Sequence, residues 1–81
     1  MHYKIPLVLS PQPEGGYTVT SPLLPELITE GDTIDEAMIN VPDALTAVVE
    51  LYRELNRSLP KSLVIQDDTE PVWFETVVAA A

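Results

Sequence analysis

The side chains here that could do chemistry are one histidine, an acidic group around residue 32, a second near residue 68, four serines and a glycine pair. His2 stands at a terminus, where a general base is not held in place. With no second histidine and no cysteine in the chain, it has no partner for a metal site. Ser10, Ser21, Ser58 and Ser62 lack a histidine that could complete a triad. Gly15 and Gly16 are not followed by the Gly-Lys-Ser/Thr of a phosphate loop. Glu30, Asp32, Asp35 and Glu36 have the density of a cation site, but not the ligand spacing, central glycine and twelfth-position glutamate of a calcium loop. Helix capping and complementing the positive end of a helix dipole account for them better. Asp67, Asp68 and Glu70 read as a solvated loop. No residue set supports catalysis and no cofactor is expected, so the chain reads as a binding domain and not an enzyme.

The elements that would carry these groups follow from spacing. Tyr3 to Ser10 alternates two sets of side chains at period two and predicts a strand, with Pro6 at an edge or bulge because it cannot donate to a central ladder. Pro11 to Gly16 is a turn, and Tyr17 to Ser21 is a second strand, giving a hairpin. Leu27 to Thr29 is a short third strand, ended by Glu30 and Gly31. Thr33 and Glu36 have the spacing of a capping box, in which Thr33 accepts from an early helical N–H and Glu36 reaches back to the Thr33 N–H. Ile34, Ala37, Met38, Val41, Ala44, Leu45, Val48, Leu51, Tyr52 and Leu55 then keep the spacing of one buried stripe. Glu50 with Arg53, and Glu54 with Arg57, are expected to pair across one turn. Pro42 interrupts the stripe at a cost of about 3 kcal/mol in a regular helix interior. The unbroken stripe favours one kinked helix over two. Asn56 to Lys61 ends it, Leu63 to Ile65 is a short apolar run, and Val72 to Val78 reads as the last strand. Trp73 and Phe74 would then face opposite sides. The order is βββαβ: an α+β fold with a small antiparallel sheet and one helix packed on one face.

Size and charge bound the partners. Eighty-one residues make one domain with a thin stability margin, so a homodimer, a homotetramer or a tight partner is expected. No apolar run approaches the roughly 20 residues that cross a bilayer. The start, from Met1 to Pro11, does not read as a signal peptide, and a cysteine-free chain suits a reducing cytoplasm. Lys4, Arg53, Arg57 and Lys61 face thirteen carboxylates, for a formal charge of −9. Nucleic-acid backbones and anionic lipid would repel such a chain. A basic protein is its natural complement, unless the charge serves solubility alone.

One segment, Glu14 to Ala37, resembles the N-terminal domain of HicB antitoxins. The residues that carry the resemblance are Gly15, Gly16, Tyr17, Pro22, Pro25, Thr29, Glu30, Gly31, Asp32, Thr33, Glu36 and Ala37, with the helix that follows and Leu59–Pro60. Glu26 and Leu27 stand where the family often has Gly and Cys, and Pro42 stands where it has a regular helical residue. The resemblance implies a partial RNase H-like sheet without nuclease activity. It also implies a partner, a small basic HicA-type toxin that cleaves mRNA. Longer members carry a C-terminal helix-turn-helix or ribbon-helix-helix domain, for which a chain ending at Ala81 leaves no room, so a single domain without direct operator binding is expected. The expected contact residues are Glu14, Glu26, Glu30 and Asp32, with Tyr17 and Trp73 as apolar anchors. The alternative is a stand-alone module that only self-associates through exposed strand edges.

Overall fold

The computed structural model describes residues 1–66 and 69–80; the solvated loop expected at Asp67 and Asp68, and Ala81, lie outside the described residues. Strands β1 (His2–Tyr3), β2 (Val8–Pro11), β3 (Tyr17–Thr20) and β4 (Ile28–Gly31) precede helix α1 (Ile34–Glu54), a 3₁₀ turn (Lys61–Leu63) and strand β5 (Val64–Ile65). β2, β3 and β4 form an antiparallel sheet in that order, and β1 pairs with β5 in a two-stranded ribbon. With β1 and β2 counted as two halves of one strand, the order is the expected βββαβ, and the fold is α+β with the helix on one face of a small antiparallel sheet.

Register sorts the two faces of the sheet. Leu9, Val19 and Thr29 stand abreast, as do Pro11, Tyr17 and Gly31, while Val8, Thr20 and Ile28 form a row on the other side. Val19 is fully buried, whereas Ile28 is 63% exposed, so the helix covers the Val19 side. Its docking is tightest at Gly31, where a Cβ would come within 2.7 Å of the Ala37 Cα. From there α1 runs back along β4: the Asn40 side-chain amide donates to the Glu30 carbonyl at 2.8 Å, and the Tyr52 hydroxyl reaches Glu26. The main core gathers under the second half of the helix. Leu24, Leu27, Val48, Tyr52 and Leu63 are buried together there, with Ile5, Leu7, Ala44, Leu45 and Leu59 packed around them.

Four expectations need correction. The strand expected from Tyr3 to Ser10 is broken between Tyr3 and Val8, where Pro6 has no N–H for a ladder. The Lys4 N–H still donates to the Leu63 carbonyl at 2.7 Å, continuing the ribbon. Glu30 and Gly31 lie within β4 and do not end it. The strand after the helix is Val64–Ile65, formed by the short apolar run; Val72 to Val78 forms no ladder, and its side chains are exposed. Strand propensity alone does not make a strand: ladder formation depends on the context in which a segment lies as well as on its composition. Finally, the expected Glu50–Arg53 and Glu54–Arg57 pairs do not close; Arg57 turns instead to Glu26 at 3.4 Å.

Helix α1 is continuous across Pro42. Its start is capped as anticipated, with the Glu36 N–H donating to Thr33 Oγ1 at 3.1 Å, but Glu36 reaches back one residue further and accepts from the Asp32 N–H at 3.1 Å. Its end is a Schellman closure. Asn56 takes a positive φ of 53°, its N–H donates to the Arg53 carbonyl, and the Arg57 N–H donates to the Tyr52 carbonyl.

Candidate protein-binding surface

The fold gathers four of the six expected contact residues at one end. The β2–β3 hairpin carries Glu14 in its turn and closes on Gly16, whose φ of 81° suits glycine. A Cβ on Gly16 would come within 3.0 Å of the Gly31 carbonyl oxygen, so this turn sits directly against the end of β4. Tyr17 is abreast of Gly31, and Glu30 is abreast of Thr18. Asp32, Asp35 and Glu36 follow at the start of the helix. Glu14, Glu30 and Asp32 are exposed, and among the described residues none of the three meets a lysine or arginine. The Glu30 carbonyl accepts from Asn40 and the Asp32 N–H donates to Glu36, so these bonds engage the main chain of Glu30 and Asp32 and not their carboxylates.

Glu26 lies at the opposite end. It follows the Pro22–Pro25 segment, close to the buried Leu24 and Leu27. One carboxylate oxygen accepts from the Tyr52 hydroxyl at 2.7 Å and the other faces Arg57 at 3.4 Å, while the Arg57 guanidinium stacks over the Tyr52 ring at 4.5 Å. The Tyr52 hydrogen bond, aided by the Glu26 backbone and by Arg57, holds the Glu26 carboxyl below its ordinary range. The same hydrogen bond, with burial, pushes the Tyr52 phenol up. Both oxygens of Glu26 are thus engaged within the chain. Sequence reasoning missed this trio; its signals were Asn56 just after the helix C-cap and Tyr52 on the buried stripe.

Charge follows the same division. All four basic residues lie toward the far end: Lys4 beside β1, Arg53 and Arg57 at the end of α1, and Lys61 in the 3₁₀ turn. Glu26, Glu50 and Glu54 accompany them there. Glu14, Glu30, Asp32, Asp35 and Glu36 have no such company.

Trp73, the sixth expected residue, lies in the extended segment after β5 and is 83% exposed. With Phe74 it borders a cleft over Tyr3, Ile5 and Leu63. Further along, Val77 and Val78 share a second cleft with Tyr17, Asp32 and Asp35. The segment therefore runs from the β1–β5 ribbon to the acidic end. Among the described residues no group of His, Asp or Glu converges as a metal site, and no helix is long and apolar enough to cross a membrane.

No protein-family profile matches the chain. Over 57 residues, 70% of the chain, it is 42% identical to Antitoxin HicB of Escherichia coli and 44% identical to Antitoxin HicB 1 of Photorhabdus laumondii, alignments that cover 41% and 37% of those proteins. The chain thus spans about two fifths of the length of these HicB relatives. It is also 33% identical over 58 residues to the UPF0150 protein Ta0767 of Thermoplasma acidophilum, covering 72% of this chain and 84% of that protein.

Proposed function

Because the chain belongs to the UPF0150 family and is HicB-like in sequence, we propose that it is a cytoplasmic, non-catalytic antitoxin that binds and masks a small basic HicA-type toxin. The relatives named HicB support the antitoxin role. The observation that supports a basic protein as partner is the group of carboxylates at Glu14, Glu30, Asp32, Asp35 and Glu36, gathered at one end without a lysine or arginine beside Glu14, Glu30 or Asp32. Such a surface steers a cationic partner and sets its orientation. Masking a nuclease needs only occupation of its nucleic-acid groove, which is itself basic because it binds phosphate.

Co-expression with a HicA-type toxin, scored by growth, tests the reading. Rescue is expected, with a complex that weakens as salt rises. Reversing Glu14, Glu30 and Asp32 together to lysine should weaken binding by about tenfold or more, roughly 1.4 kcal/mol or above. Reversing Lys4 and Lys61 at the far end should leave it unchanged. Rescue untouched by the acidic reversals would remove the electrostatic part of the proposal.

A second reading is favoured by the open sheet face. Val8 and Ile28, flanking Thr20 in one row, are both exposed on the side away from the helix, and such a row suits self-association into a homodimer or homotetramer. A concentration-dependent mass in light scattering, lost on Ile28→Lys, is the outcome that reading requires.

A further inference from the structure

The densest run of exposed large apolar side chains lies in the stretch after β5. Val72, Trp73, Phe74, Val77 and Val78 are all exposed, Trp73 at 83% and Phe74 at 72%. The stretch has the β-branched and aromatic make-up of a strand, yet it forms no ladder within the described residues.

Its far end reaches the acidic surface, where Val77 and Val78 border one cleft with Tyr17, Asp32 and Asp35. Apolar surface and carboxylates are therefore contiguous, which is the arrangement of an interface with an apolar centre and a charged rim.

We propose that Val72 to Val78, together with Tyr17, forms the apolar centre of a docking surface for a basic protein, with Asp32 and Asp35 as the rim that meets its lysines and arginines. The inference rests on the antitoxin reading and names the surface that reading would use. Charge selects the occupant. Two copies of a chain carrying −9 repel each other, and meeting at this end would bring two sets of carboxylates, including Asp32 and Asp35, into one interface. A basic partner turns the same carboxylates into attractive contacts.

Trp73 is the only tryptophan, so its emission reports on this strip alone. Titrating the full chain with a catalytically inactive, tryptophan-free HicA-type toxin should shift that emission to the blue. In calorimetry, Trp73→Ser with Phe74→Ser should weaken binding tenfold or more with an unchanged unfolding midpoint, because both side chains are exposed. If the double variant loses its fold, Val77→Thr with Val78→Thr keeps the β-branching and is expected to weaken binding too. Binding by the wild-type chain with no emission change, and equal binding by the variants, would overturn the inference and leave the antitoxin reading standing. A wild-type chain that binds no such protein overturns both. A blue shift that depends on chain concentration alone overturns the inference in favour of a second copy.

Discussion

Glu26 ties the proline-punctuated segment to the end of the helix, because Tyr52 and Arg57 both reach it. The Schellman closure at Asn56 makes this possible by turning Arg57 back over the Tyr52 ring. The trio also sets a pH window. The Glu26 carboxyl is held below its ordinary value of 4.5, so its contribution is complete above that value and disappears as pH falls through the lower folded value. The Tyr52 phenol is held above its ordinary value of 10.0, so its contribution is complete below that value and is lost as pH rises through the higher folded one. A Glu26→Gln variant should therefore lose thermal stability less steeply than the wild type on acidification below about pH 4.5. Parallel melting profiles from neutral to acid pH would contradict this. Glu26 shows the limit of sequence reasoning at this scale: its charge was legible, but its engagement was not, because its partners lie 26 and 31 residues away in the chain.

Among the elements, legibility tracked how local the deciding interaction is. The helix, its cap and the β2–β3 hairpin depend on neighbours a few residues apart, and these were readable. Where the last strand forms depends on which edge accepts it. β1 pairs with Val64–Ile65, and the more strand-like Val72–Val78 forms no ladder among the described residues. The meeting of α1 with β4 is equally non-local. The sequence showed Gly31 only as a strand end, whereas the structure has the helix backbone filling the space a side chain would need there. Gly31→Ala should destabilise the fold by about 1–3 kcal/mol, the usual cost of overpacking, read as a lower denaturant midpoint with unchanged slope. Gly15, whose added Cβ would meet nothing within 4 Å but whose φ is 100°, should show a smaller loss from backbone strain alone. Equal losses at the two positions would mean that helix docking is not the constraint.

Across the whole molecule, the acidic end and the basic residues sit apart in a body whose longest extent is 37 Å. Screening at physiological salt sets in over about 8 Å, so the far cations do little to offset the field at the acidic end. The overall charge of −9 was visible in the sequence, but its segregation required the fold. Pro42 divides the molecule differently. It leaves the Met38 carbonyl without its helical donor, and the Thr46 hydroxyl bonds the Pro42 carbonyl at 3.0 Å. On one side of this seam the helix is clasped to β4 at Ala37; on the other it lies in the main core with Val48 and Tyr52. In deuterated water the two halves are accordingly expected to exchange their amide hydrogens as separate opening units. Amides from Leu45 to Tyr52 should be protected tenfold or more beyond those from Ala37 to Val41, a gap of about 1.4 kcal/mol in opening free energy. Uniform protection along the helix would mean that it opens as one piece despite the proline.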